Sequence, residues 1–460
     1  MQATIVDFSK LDKRILRLEA EFYASNKLMS TNTCLGEDVI DFVQYGTSKE
    51  LNEDGKGYPV LRLNEYESYF IKKPAKYCEK IDNNTHLSLK LCSGDVLICR
   101  TNGNPKLVGK SAIVMEDTDF SFASYLYRIR PKKKIITSAT LMIYLNSKYG
   151  RSEIERYLMV SNQANFSPAK FREIAIPILG KLNNKIDLLA NQSYILLNKS
   201  SHFYSQAAQL LLDELDLSGW QAEHKLSFVK NYLNTKKAER MDAEYFQPKY
   251  DEIVTAVKQY KGGWDTLGSL PVRIKDRNFN PAIETSYKYI ELANIGTNGW
   301  IEGCSEETGR ELPTRARRKV NTGDVIVSSI EGSLSSIAII TAEFDNAICS
   351  TGFYVVTSQK INSETLFCFL KSLAGQLQLK KGCNGTILTA ISKDEFSQIV
   401  IPKIKNKIQE KLKDKIRQSF EARHKSKQLL EIAKQAVELT IEKDEKTAMA
   451  WIEQQGNFQE

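Results

Sequence analysis

The chain has 460 residues, 42% of them hydrophobic and 26% charged, the composition of an ordinary globular protein with room for roughly two to four domains. A formal charge of +8 admits an anionic partner without demanding one. No apolar run approaches the length of a membrane span, and the opening Met1-Gln2-Ala3-Thr4-Ile5-Val6-Asp7 lacks a basic stretch followed by an apolar core, so a cytoplasmic location is expected.

In chain order, the first signals are short β-rich runs punctuated by turn residues: Tyr58 to Leu63, Asp95 to Cys99, Ser111 to Met115 and Tyr125 to Ile129. Helical spacing follows at Thr140 to Tyr149 and Glu153 to Met159. Together they predict a mixed α/β (α+β) domain over residues 1–178. Pro177 marks the change into a helical spacer, 179–217, where Ile186, Leu189, Ser193, Leu196, Ser200, Phe203, Ala207 and Leu210 step by three or four. The stretch from Ser218 to Lys237 connects to a second mixed domain, 218–402, with helix-like spacing at Ser363 to Leu373. After Pro402 a second spacer, 403–445, carries Ile408, Leu412, Ile416, Phe420, Ser426, Leu429, Ala433 and Val437 in a looser stripe, and 446–460 is a tail.

Neither long helix can bury its stripe alone. The two are expected to pack on each other as an antiparallel coiled coil, with Ile186, Leu189, Leu196, Phe203, Leu210, Ile408, Leu412, Ile416 and Leu429 as packing or partner-docking positions. The alternative is that each stripe docks on its own globular domain. A helix from Asn183 to Asp213 would be ~45 Å long. That exceeds the turn of B-DNA, roughly 34–36 Å.

The second half repeats the first. Arg17-Leu18-Glu19-Ala20-Glu21-Phe22-Tyr23 returns as Arg240-Met241-Asp242-Ala243-Glu244-Tyr245-Phe246, and Tyr58-Pro59-Val60-Leu61-Arg62-Leu63-Asn64 as Tyr287-Lys288-Tyr289-Ile290-Glu291-Leu292-Ala293. Gly94-Asp95-Val96-Leu97 returns as Gly323-Asp324-Val325-Ile326, and Phe171 with Ile176-Pro177 as Phe396 with Ile401-Pro402. A period of about 225 residues is too long for a solenoid repeat and near the size of one domain with a spacer. Phe8 and Phe228, each upstream of the Ala-Glu-aromatic text, place the connector at the start of the second copy.

Motifs of catalysis and metal binding do not emerge. Leu107-Val108-Gly109-Lys110-Ser111 resembles the end of a phosphate-binding loop, but the position that must be glycine is Asn104. His86, His202, His224 and His424 are scattered, without metal-ligand spacing. There is no Gly-x-Ser-x-Gly elbow and no Asn-Pro-Pro-aromatic loop of the kind that holds an extruded base. Gly94-Asp95 and Gly323-Asp324 precede β-runs and read as tight turns; a catalytic aspartate would bring recurring partners, and none is visible. Cys34, Cys78, Cys92, Cys99, Cys304, Cys349, Cys368 and Cys383 never form Cys-x-x-Cys pairs, so buried reduced thiols are expected and no zinc site.

Polar and basic side chains instead concentrate in glycine-punctuated loops, the chemistry that neutralises phosphates and reads base edges. The first copy offers Gln44, Thr47, Ser48 and Lys49, then Arg100, Asn102, Asn104 and Lys106, with Lys110, Lys132 and Lys133. The second offers Arg273, Lys275, Arg277 and Asn278, then Arg315, Arg317 and Arg318, with Ser329 and Ser333. The framework recurs while the loop contents do not, as expected of one scaffold reading two different sequences.

In their order, Ala-Glu-aromatic, Tyr45-Gly46-Thr47-Ser48, Tyr58-Pro59-Val60-Leu61-Arg62, Gly-Asp-Val, Val108-Gly109-Lys110-Ser111-Ala112-Ile113 and Phe-x-x-Ile/Val-x-Ile-Pro before each long helix resemble the specificity (S) subunit of type I restriction-modification systems, over essentially the whole chain. The resemblance implies two tandem target-recognition domains joined by paired helical spacers. It implies a non-catalytic subunit that reads an asymmetric, bipartite double-stranded DNA target. It implies docking of two methyltransferase (modification) subunits and, through them, a restriction/translocase subunit, with S-adenosylmethionine, ATP and Mg on those partners and no cofactor in this chain. Arg62 corresponds to Glu291, and Val108 to Ser111 is replaced by Leu334-Ser335-Ser336, so roles there do not transfer between copies. The alternatives are the specificity module of another DNA modification or defence system, or a helical protein-interaction scaffold without DNA readout.

Overall fold

The computed structural model describes residues 32–160, 164–269, 272–275, 278–384 and 389–456. The first copy's Ala20-Glu21-Phe22, Phe8 and Arg277 lie outside these residues. The fold is mixed α/β and divides into two compact units, one holding residues up to Leu197 together with those from Arg423 on, the other Asn198–Ala422. Both boundaries fall inside the long helices, Leu182–Glu214 and Asn406–Glu442.

The duplication seen in the sequence is a duplication of topology. In the first unit a sheet runs in the order Ile40–Tyr45, Leu126–Pro131, Val96–Cys99, Ser111–Ile113, the neighbours antiparallel, then continues through Phe70–Ile71 and Tyr66–Glu67. In the second unit the order is Val272–Lys275, Phe353–Ser358, Val325–Ser328, Ile337–Ile339, again antiparallel. The strands Val96–Cys99 and Val325–Ser328 are apolar almost throughout because both faces are covered. Val96 and Ile98 face one core and Leu97 and Cys99 another; Val325 and Val327 divide from Ile326 in the same way.

A helix pair packs on each sheet: Ser138–Asn146 with Lys148–Tyr157, and Ser363–Lys371 with Leu373–Lys381. The caps recur. Thr137 and Asn362 accept from the backbone N–H three residues on, and Ser147 and Ser372 do the same for the second helix. The Phe-x-x-Ile/Val-x-Ile-Pro text becomes a short helix followed by a strand, Ala175–Pro177 or Val400–Pro402, that enters the long helix.

The long helices run antiparallel. In the first unit the Leu182 N–H donates to Glu445 and the Ser193 and Ser426 hydroxyls lie 2.8 Å apart, each within donating distance of the other residue's carbonyl. In the second, Ser200 and Ser419 meet at 3.1 Å and the Lys415 ammonium lies over the Phe203 ring. Both readings of the stripe apply together. The serines face the other helix, while Ile186, Leu189 and Leu429 bury into the first unit's core and Leu412 and Ile416 into the second's. Leu196, Phe203, Leu210 and Ile408 are only half-buried; Leu197 and Leu211, one position on, are the buried residues. A helix that faces both a partner helix and a domain core buries a broader stripe than a two-residue seam, which shifts the centre of burial. Each unit also plants an aromatic from a short hairpin on its long helix: Phe70, in the hairpin at the edge of the sheet, against Tyr194 at 5.3 Å and Trp300, beside the isolated Ile295–Ile301 bridge, against Phe420 at 5.7 Å.

Candidate nucleic-acid interface

In the first unit three segments converge. The Thr47 N–H donates to the Phe122 carbonyl and the Ser124 N–H to the Thr47 carbonyl, so the segment after strand Ile40–Tyr45 lies against residues 122–124. Gly46 permits this: a Cβ there would sit 2.3 Å from the Phe122 carbonyl oxygen. The Arg100 N–H donates to Tyr125, which brings in the loop that follows Val96–Cys99, and the Arg100 guanidinium lies 5.2 Å from the centre of the Tyr45 ring. Tyr45 is 46% exposed, an aromatic platform beside a cation. Along the loop, Asn102 accepts from the Asn104 N–H at 2.8 Å and Asn104 from the Lys106 N–H at 3.0 Å, turns that leave Asn104 and Lys106 exposed. Ser48 and Lys49 are exposed beside them, and Lys110 is half-buried at the loop's end.

Other expected contacts are not brought there. Lys132 and Lys133 are exposed at the far end of strand Leu126–Pro131, because Tyr45 pairs with Tyr127 while Ile40 pairs with Pro131. Five residues of strand put them about 17 Å from the Tyr45 end. There they line, with Asp41, Arg130 and Lys134, a cleft of ≈ 730 Å³. Gln44 is half-buried, and its side-chain oxygen accepts from Arg128 at 2.5 Å. It holds an internal arginine rather than standing free.

Arg128 belongs to a network that sequence reading missed. Its buried guanidinium donates to the Lys90 and Ser88 carbonyls and to Asp95, which also accepts from Arg130 at 2.6 Å. Burial pulls the Arg128 pKa down, with Asp95 opposing. Asp95 is the aspartate of the Gly-Asp turn, fully buried, and Gly94 at φ 90° makes the turn. In the second unit Gly323 has φ 87° and Asp324 accepts from Lys275 at 2.7 Å. The buried carboxylate recruits a cation in both copies, from different strands. Lys275, expected at the DNA face, is therefore committed to Asp324, since a desolvated carboxylate needs a nearby cation. The turn also latches the helices. Ser138 and Ser363 donate to the Gly94 and Gly323 carbonyls, and the preceding Thr137 and Asn362 N–H groups donate to Asn183 and Gln409 on the long helices.

The second unit brings Arg315 together with the loop after Val325–Ser328. The Thr351 N–H donates to the Arg315 carbonyl, Ser329 donates to Gly352, and the Ile391 N–H donates to Ser329. Arg315 is exposed, while Arg317 and Arg318 are half-buried in strand Ala316–Lys319. Asn278 is exposed beside them, since the next residue, Phe279, donates its N–H to the Arg317 carbonyl. Arg273 is exposed, opposite Thr357 toward the Gly323-Asp324 end. Ser329 and Ser333 are not displayed side chains. The Ser329 hydroxyl is buried on the Gly352 carbonyl, and Ser333 bonds Ser328 and the Ile330 carbonyl. A short loop with few side chains satisfies its own backbone, and these serines supply the bonds.

Arg100 and Ser329 occupy one backbone position. Each donates its N–H to a residue in the strand-entry turn (Tyr125, Gly352) and accepts from a residue near the next short strand (Phe166, Ile391). One framework therefore displays a cation over an aromatic ring in one copy and an inward hydroxyl in the other. Elsewhere the eight thiols are free, and burial pushes those of Cys99 and Cys383 up to about 11. No helix among the described residues is long and apolar enough to cross a membrane.

No family model matches the chain. Among curated proteins it is 22% identical over 380 residues to the type I restriction enzyme MjaX specificity subunit assigned in Methanocaldococcus jannaschii, covering 80% of this chain and 81% of that one. It is 28% identical over 150 residues to the type I restriction enzyme StySPI specificity subunit of Salmonella potsdam, 32% of each chain. Among solved structures, the type I restriction-modification S subunit from M. genitalium overlaps 92% of this chain and 94% of its own with a TM-score of 0.35 and 12% identity. The HsdS subunit from Thermoanaerobacter tengcongensis overlaps 90% and 97% with a TM-score of 0.30 and 12% identity. Scores this low establish no residue correspondence. The resemblance carried by the order of the motifs is met by the curated relatives, both of which are type I restriction enzyme specificity subunits.

Proposed function

We propose that this chain is a non-catalytic, sequence-specific DNA-binding subunit that recognises an asymmetric bipartite target and directs adenine methyltransferase and restriction subunits to it. The observation that carries the reading is the shared backbone position of Arg100 and Ser329: one framework, built twice, with different side chains on it. Each unit reads one half of the target through its convergent loops, and the lysines supply phosphate contacts. The paired long helices set the unread gap and dock two methyltransferase subunits, which bring S-adenosylmethionine; ATP and Mg belong to the motor-nuclease subunit. The complex acts in the cytoplasm.

The test is a genome-wide map of methylated adenines in the host with and without this gene. Loss of one split motif, methylated on both strands across a fixed gap, is the expected outcome. Retention of every motif in a strain whose methyltransferase partner is expressed would overturn the reading.

A further inference from the structure

The helix that follows the sheet in each unit ends on a side chain that grips the loop under the candidate DNA face. Helix Ser138–Asn146 ends at Asn146, whose carboxamide accepts from the Ser111 N–H at 3.3 Å and donates to the Ser111 carbonyl and hydroxyl at 3.0 and 2.8 Å. Helix Ser363–Lys371 ends at Lys371, whose ammonium donates to the Ser335 carbonyl at 2.9 Å and the Thr297 carbonyl at 2.7 Å. The next helix adds a second grip in both. Arg151 donates to the Val108 carbonyl at 2.7 Å, and Gln376 donates to the Leu334 carbonyl at 3.2 Å. The backbone bonds of the Cys99 N–H to the Lys110 carbonyl and of the Ser328 N–H to the Ser336 carbonyl close two loops, Arg100 to Lys110 and Ser329 to Ser336. Arg151, Lys371 and Gln376 grip inside them, and Asn146 grips Ser111, the residue that follows the first.

We propose that Asn146 and Lys371 are equivalent positioning residues, each setting the reading loop of its own unit, and that the helix between latch and grip is a rigid strut. The proposal rests on the DNA-reading function argued above. It assigns the two halves of the target separate determinants outside the contact surface: neither side chain reaches the displayed residues, yet each holds the backbone that presents them. Each unit pairs one cation with one neutral amide, on opposite members of its helix pair. The first loop stiffens itself through Asn102 and Asn104, with the neutral amide of Asn146 just past its end and the Arg151 guanidinium on the Val108 and Lys106 carbonyls. The second stiffens itself through Ser328, which accepts from the Ile330 N–H, and is tied by an ammonium to two carbonyls at once, one of them in the hairpin that carries Trp300.

The experiment uses the full chain with the isosteric variants Asn146→Leu and Lys371→Met, selection from a randomised DNA library, and amide hydrogen exchange without DNA. The expected result is a loss of base discrimination of about tenfold, the worth of one base contact, confined to one half of the target for Asn146→Leu and to the other half for Lys371→Met. Exchange should quicken at residues 334–337 in Lys371→Met and at 108–112 in Asn146→Leu, with overall melting little changed. Equal loss in both halves overturns the proposal, because it reports general destabilisation. Unchanged exchange in the gripped loop also overturns it, whatever DNA is selected. If the wild-type chain selects no sequence, the functional reading fails, and the exchange arm still decides whether the grip exists.

Discussion

Asp95 shows what a recurring motif residue does when it is neither catalytic nor a base contact. It is fully buried and holds Arg128, itself 2% exposed, together with the more open Arg130. Asp95→Ala would strand the Arg128 charge, and removing one partner of a buried pair costs roughly 3–5 kcal/mol. The expected readout is a clear drop in the thermal midpoint of the first unit. Asp324→Ala should cost less, because Lys275 is 30% exposed and can turn to water; equal losses would mean that Arg128 is not the reason. Lys371 supplies a pH-dependent case. Burial lowers its pKa from 10.5 to about 8. Between those values the unfolded chain binds the extra proton, so this side chain's contribution to stability rises with pH above about 8 and falls again as pH drops through it. Wild type measured against Lys371→Met should therefore gain relative stability from pH 8 to 10; a flat difference would contradict the burial.

The helices were the most legible elements and the least legible in detail. Pro177, Pro402 and the three-or-four stepping predicted two long helices, and Leu182–Glu214 and Asn406–Glu442 are there. The stepping could not say which side chains face the domain core, and so it favoured Leu196 and Leu210 over the buried Leu197 and Leu211. The β-runs at Val96–Cys99 and Ser111–Ile113 were visible because they are covered on both faces, whereas short strands such as Phe70–Ile71 give no periodic signal. In the candidate interface, polarity pointed to the right loops but could not separate Asn104, which is exposed, from Ser329, which is spent on its own backbone. Arg128, Arg151, Asn146 and Lys371 were missed because a polar residue inside a strand or at a helix end looks like surface until its acceptors are known. The serine contacts carry a prediction for the helix pair. Ser426→Ala removes bonds worth about 1 kcal/mol each, and Ser193→Leu adds overpacking of roughly 1–3 kcal/mol. Chemical denaturation should rank Ser193→Leu well below Ser426→Ala; the reverse order would mean that the helices do not approach closely at these serines.

Taken entire, the chain is one architecture written twice with unlike contents, which separates what must be kept from what can vary. Caps, Gly-Asp turns, helix latches and hairpin anchors recur; the displayed side chains do not. Exchange of residues 100–110 for 329–336, each loop moved with its gripping residues, should transfer base preference between halves of the target while the chain stays folded. DNA binding that rests on lysine and arginine contacts to phosphate should also weaken steeply with salt, by a log–log slope of about −0.9 per phosphate neutralised. An affinity for the selected target that does not move between low and physiological salt would remove the phosphate contacts from the account.

The first unit is not continuous along the chain, because it takes in residues from Arg423 on, whereas Asn198–Ala422 is unbroken. During synthesis from the N-terminus, the second unit has every residue it needs as soon as Ala422 clears the ribosome. The first has its sheet early but lacks Leu429, Ala433, Val437 and Ile452 of its core until the final stretch is made. The later-encoded unit can thus close before the earlier one, and a premature stop near residue 422 would leave the second unit whole and the first with its apolar face open.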